Sequence, residues 1–160
     1  METTKDFCFS YSEYSSIDEL NELEQLTVRA SINAQRTSHS PYSNFRVGAA
    51  VLLADGQIVE GSNQENGAYP SGLCAERVAM FAAAARCPQQ PIAMLAISAS
   101  HQGRPVDEPV TPCGGCRQVM LEYRLKHGRS FPVIMVGARR IVKLDMESLL
   151  PFGFGSAEGA

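Results

Sequence analysis

A chain of 160 residues is long enough for one domain with a buried core and too short to expect two. Apolar residues make up 44% and charged residues 19%, the balance of a folded chain, and a formal net charge of -3 without blocks of like charge argues against a phosphate-tracking surface. Residues 1–16 carry acids and hydroxyls where a secretory leader carries bases and then an apolar run. No apolar stretch approaches bilayer-spanning length.

In chain order, residues 1–15 read as a loose N-terminal extension and 16–160 as a single domain. A first helix is expected near Ser16, because Ser16 and Glu19 have capping-box spacing and an apolar row follows at Leu20, Leu23, Leu26, Ala30 and Ala34. A turn-rich loop over 39–45 holds two aromatics, Tyr42 and Phe45. Strands at 47–54 and 57–62 flank Asp55-Gly56, a strong hairpin signal, and so read as antiparallel neighbours. The polar stretch 63–72 is placed to hold a polar ligand between a strand end and the next helix.

A helix over 74–86 is apolar nearly all round and reads as the most buried one. A covered strand at 92–99 follows, then a loop, then a helix introduced by Thr111-Pro112 and ended by His127-Gly128. Strands at 132–136 and 141–144 are joined by a link too short for a parallel crossover. A short helix at 146–150 precedes the tail. The expected architecture is α/β, a three-layer α-β-α sandwich around a mixed five-stranded sheet.

The chemistry gathers at two short pieces, Cys74-Ala75-Glu76 and Pro112-Cys113-Gly114-Gly115-Cys116. Thiolates at Cys74, Cys113 and Cys116 are the right donors, and the right number, for a zinc ion that keeps its fourth position open. Both pieces open helices, where free N–H groups and the positive end of the helix dipole favour thiolate. Such usage of three of the five cysteines fits a reducing compartment, so the expected location is the cytosol. The remaining donors, Cys8, Cys87, His39, His101 and His127, sit in no paired spacing. Three thiolates leave the cluster negatively charged, and Arg77 and Arg117, each close after a ligand, are the candidates to offset it. Glu76 lies two positions beyond Cys74, so its carboxylate stands beside the metal instead of on it, within reach of water there as general base and then general acid.

With these segments in place the sequence resembles the small, tetrameric type of cytidine deaminase. Pro41-Tyr42-Ser43-Asn44-Phe45, Val47-Gly48-Ala49-Ala50, Asn63-Gln64-Glu65-Asn66, Cys74-Ala75-Glu76-Arg77 and Pro112-Cys113-Gly114-Gly115-Cys116-Arg117-Gln118-Val119 all fall in that family's order. The resemblance implies one zinc ion per subunit on Cys74, Cys113 and Cys116, with Glu76 shuttling protons. Arg77 would hydrogen-bond the thiolates. Phe45 would pack on the pyrimidine, Asn63 and Glu65 would bind the ribose hydroxyls, and the main chain at Ala75 would contact the base. Phe154 looks like the aromatic that one subunit lends to its neighbour, with sites at the interfaces of a homotetramer. The implied reaction is hydrolytic deamination of cytidine and deoxycytidine in pyrimidine salvage, with neither nucleic acid nor membrane as partner.

The sequence departs from the family pattern at Arg46, where proline is common, in its long N-terminal extension, and in a long 100–111 loop. Three other readings share some of these features. Nucleic-acid deaminases typically use histidine as first ligand and a helix between the last strands, whereas here Cys74 and a four-residue link stand there. A blasticidin-type deaminase shares the thiolates, but Asn63 with Glu65 favours a sugar. A zinc-stabilised binding module would keep the cysteines without needing Glu76.

Overall fold

The structure is a computed structural model that describes residues 2–155. Its strands are β1 (Ser12–Tyr14), β2 (Phe45–Leu53), β3 (Ile58–Ser62), β4 (Ile92–His101), β5 (Arg104–Pro105), β6 (Pro132–Val136) and β7 (Ile141–Asp145). Its α-helices are α1 (Glu22–Ala34), α2 (Ala75–Arg86) and α3 (Gly114–His127). The sheet runs β1-β7-β6-β4-β2-β3, with β5 folded back on the end of β4. Pairing is antiparallel throughout except between β4 and β6, which α3 connects as a parallel crossover. Helix α1 covers one face of the sheet, whereas α2 and α3 lie together on the other over the larger core cluster.

The α/β sandwich and mixed sheet are those expected, but the sheet has seven strands among the described residues instead of five. The two additional strands are edge pieces of three and two residues, too short to show alternation. One of them, β1, lies in the segment read as a loose extension and pairs with β7 at Glu13↔Val142. Both hairpins form as their links require, and Gly128 ends α3 in the left-handed region at φ 60.

Helix α1 corrects two expectations. Ser16 caps only a single 3-10 turn, and the capping box is made by Asn21 with Glu24. The buried face is Leu20, Glu24, Thr27, Val28, Ser31 and Ala34, while Leu23 and Leu26 are 54% and 49% exposed. The apolar row misplaced this face because polar side chains are satisfied inside it. Thr27 and Ser31 donate to the Leu23 and Val28 carbonyls, and Glu24 meets Lys143 at 2.8 Å.

Two glycines set how closely the helices approach the sheet. A Cβ on Gly48 would lie 2.0 Å from the Ser31 carbonyl oxygen of α1, and one on Gly61 would lie 2.3 Å from the Ala79 nitrogen and 2.9 Å from the Ala75 oxygen of α2. Gly61 therefore lets the first turn of α2 rest directly on β3, and that turn carries the candidate chemistry. Replacing a glycine within a strand by alanine is ordinarily mild or favourable, but Gly61→Ala forces backbone apart. A loss of about 2 kcal/mol or more is expected, read as a lower denaturation midpoint in urea. An unchanged midpoint would show that the contact is not limiting.

Candidate functional site

Cys74 and Cys113 occupy the N-cap positions of α2 and α3, and Cys116 lies in the first turn of α3. The two helix starts converge because Gly61 seats α2 on the sheet while Arg117 fastens α3. Its Nε donates to the Pro112 carbonyl at 2.8 Å and its Nη1 to the Leu149 carbonyl at 3.0 Å. The sulfurs of Cys74 and Cys113 stand 3.7 Å apart and those of Cys113 and Cys116 3.4 Å apart, with all three within 4.8 Å of one another. Ligands at about 2.3 Å from a tetrahedral zinc lie about 3.8 Å from each other, so the residues present fit that ion.

Charge in the cluster is uneven. Cys74 is lowered to about 5, first by the hydrogen bond from Cys116 and then by Arg77 and Cys113. Cys116 is driven upward, first by that same bond to Cys74 and then by burial. A proton shared between crowded sulfurs is what a divalent cation replaces when it binds thiolates. Of the two candidate arginines only Arg77 faces sulfur, its Nη2 donating to Cys74 Sγ at 3.8 Å. Its buried Nε has no partner among the described residues. Arg117 is occupied with carbonyls and is a structural tie.

Glu76 sits on α2 beside Cys74 and is 4% exposed. Burial raises its carboxyl above the ordinary range, and the charge on Cys74 adds to the effect. Glu76 forms part of the wall of a cavity of about 730 Å³ that also reaches Ala75, Asn63, Glu65, Val110 and Thr111. That volume suits a small organic ligand.

Asn63 and Glu65, at the end of β3 and just beyond it, are held in place by the loop before β2. Asn63 Oδ1 accepts from the Ser38 hydroxyl and from Val47 N, and its Nδ2 donates to the Phe45 carbonyl, leaving one N–H without a partner among the described residues. Glu65 accepts from Tyr42 N at 2.9 Å and from Ser43 N and Oγ. The Ser43 hydroxyl, with Tyr42 N next, lowers the Glu65 pKa and keeps it ionised. Phe45 and Phe154 stand apart from this wall. Phe45 is half-buried with its ring 6.1 Å from that of His101, and Phe154 is 89% exposed with its carbonyl held by Gln118. The role of Ser43 escapes a reading by residue type; its only signal is a hydroxyl in a turn-forming loop. Val110 and Thr111 carry no signal except that they precede a ligand.

Residues 21–128 match the family model described as the cytidine and deoxycytidylate deaminase zinc-binding region. The chain is similar to the cytidine deaminase of Sporosarcina psychrophila, 37% identical over 132 residues that cover 82% of this chain and 90% of that protein. It is also similar to the cytidine deaminase of Halalkalibacterium halodurans, 39% identical over 98 residues, 61% of this chain and 70% of the other. The solved structure of cytidine deaminase from Burkholderia pseudomallei superposes with a TM-score of 0.69 at 34% identity, covering 81% of this chain and 97% of that one. With both thiolate-bearing helix starts inside the matched zinc-binding region, the chain belongs to the cytidine deaminase family, in its small bacterial form.

Proposed function

We propose that the protein hydrolyses cytidine and deoxycytidine to uridine and deoxyuridine with release of ammonia. The observation that carries this reading is the buried Glu76 carboxyl beside three converging thiols, in one cavity with Asn63 and Glu65. Cys74, Cys113 and Cys116 hold one zinc ion per subunit. Bound there, zinc acts as a Lewis acid that makes water a competent nucleophile near neutral pH. Arg77, donating to Cys74 Sγ, would drain negative charge from that donor when the metal is held.

Glu76 takes one proton from the water attacking C4 and delivers it to ring N3. It then takes a second from the new C4 hydroxyl and delivers it to the departing amine, so that the C4–N bond breaks, ammonia leaves and the oxygen stays as the C4 carbonyl. A carboxyl raised by burial suits both halves of that transfer. Ala75, the first residue of α2, offers a main-chain N–H that the helix cannot use, and it contacts the base. The remaining Asn63 N–H and the Glu65 carboxylate bind the ribose hydroxyls, which selects a nucleoside over a bare base. Phe45 lies on the same face of β2 as Val47, which lines the cavity, and packs on the pyrimidine.

The same reading makes the active form a homotetramer with sites at its interfaces. Leu23, Leu26, Tyr69, Phe81, Phe152 and Phe154 are exposed apolar side chains that a monomer leaves uncovered, and Phe154 completes a neighbour's cavity. Among the described residues no helix is long and apolar enough to cross a membrane, and pyrimidine salvage in the cytosol is the setting proposed.

Glu76→Gln is expected to retain zinc by metal analysis while cytidine turnover, followed by ammonia release, falls on the order of a thousandfold. Full activity in that variant would sink the proton role. Ser43→Ala loosens Glu65 and should raise KM for cytidine about fivefold with kcat little changed; a kcat loss with constant KM would remove Glu65 from sugar binding.

A further inference from the structure

The three departures from the family pattern include the N-terminal segment and the 100–111 loop, and these two meet at Arg140. Arg140 Nη1 donates to Glu13 Oε2 of β1 at 2.8 Å, and its Nε donates to Glu108 Oε2 at 2.8 Å. Beside it, Arg139 N donates to the Asp107 carbonyl at 3.0 Å, Ala138 N to the Val106 carbonyl at 2.8 Å, and the Arg139 side chain pairs with Asp107 at 2.9 Å. Gly137 lies flat under the same stretch, since a Cβ there would sit 2.6 Å from the Asp107 oxygen and 2.7 Å from Pro109 N. Residues 106–109 are thus strapped along the turn between β6 and β7. The next two residues, Val110 and Thr111, form part of the cavity wall, and Cys113 follows.

We propose that Arg140 is a positioning residue: held by Glu13 and Glu108, it fixes the 106–109 strap and through it the Val110–Thr111 wall, so that the N-terminal segment tunes substrate affinity from outside the cavity. Glu13 and Arg140 both lie outside residues 21–128, so the family match assigns neither of them a part. The strap runs between two fixed ends, the β4 edge and the metal-ligand helix, and the stretch between them takes its course from the 137–140 turn. Its ionic attachments are exposed enough to respond to salt. Cytidine itself is uncharged, so salt has no direct claim on its binding, and a salt-dependent KM reports on the protein's own ion pairs.

This inference rests on the nucleoside reading above, and the experiment separates the two. The zinc-loaded wild type, Arg140→Gln, Glu13→Gln and Gly137→Ala are compared for cytidine kinetics, zinc content and amide hydrogen exchange. Arg140→Gln should raise KM about threefold to tenfold and Glu13→Gln about twofold, with kcat and zinc unchanged. Gly137→Ala, which displaces the strap while leaving the ion pairs their partners, should give the same KM signature. Raising ionic strength to about 1 M should carry the wild-type KM toward that of Arg140→Gln, whose own KM should change less, since in the strap only the Arg139–Asp107 pair remains to be screened. Amides at 110–111 should exchange faster in Arg140→Gln and Gly137→Ala than in the wild type. Unchanged KM and exchange in both variants would overturn the proposal, as would zinc loss in step with the KM change. A wild type without cytidine turnover would overturn the nucleoside reading, and the exchange comparison would still decide the strap.

Discussion

Three sulfur atoms from two distant segments must come within a few ångströms of one another, and the rest of the structure is arranged around that demand. Crowding thiolates is unfavourable without a cation, so the fold has to hold the donors there by force of packing elsewhere. It does so through a close backbone approach at one helix and a side chain tied to backbone carbonyls at the other. Gly61 allows the Ala75–Ala79 turn of α2 to lie against β3, and Arg117 ties the start of α3 to the Pro112 and Leu149 carbonyls. Each helix start is therefore fixed at its own end, where the donors are.

Placing the donors at helix N-termini also supplies part of the compensation for their charge. The positive ends of both helix dipoles lie at the donors, and the Arg77 guanidinium donates directly to Cys74 sulfur. Burial acts in the opposite sense one residue pair away: Glu76, in the same turn as Cys74, is raised instead of lowered. A single turn of helix thus holds one group pushed toward its anion and another pushed toward its protonated form. Acid–base chemistry needs that separation, and it arises from exposure to the thiolate neighbourhood on one side and to the apolar core on the other.

The site was legible in the sequence wherever residue type and spacing carry the chemistry. Cys74, Cys113, Cys116 and Glu76 declare themselves that way, and the hairpins follow from Asp55-Gly56 and from the short 137–140 link. The less legible parts share one physical cause, namely polar groups satisfied by partners far away in the chain. Glu24 reads as a solvent residue until Lys143 appears beside it, and Ser43 reads as a loop hydroxyl until Glu65 does. The short strands β1 and β5 were hidden for a related reason: two or three residues show no period, and only their partners at β7 and β4 make them strands. Spacing alone leaves Arg77, three residues after Cys74, and Arg117, one after Cys116, both open; the family resemblance names Arg77, and in the fold it is Arg77 that meets sulfur while Arg117 bonds carbonyls.

The partly buried pair Glu24–Lys143 shows how the far side of the sheet contributes to this order. A buried ion pair is a poor source of stability compared with apolar residues of the same size, because both charges give up water. Here the carboxylate is fully engaged, one oxygen accepting from Lys143 Nζ and the other from Asn21 N in the capping box, while the ammonium also lies 5.2 Å from the centre of the Tyr14 ring. Leucine and methionine in their place would still hold α1 to the sheet, but without the directional bond. The directional bond from Lys143 of β7 to Glu24 favours one placement of α1 on the sheet. Because the Ser31 carbonyl of that helix rests on Gly48 of β2, fixing α1 also fixes the strand whose opposite face presents Val47 to the cavity.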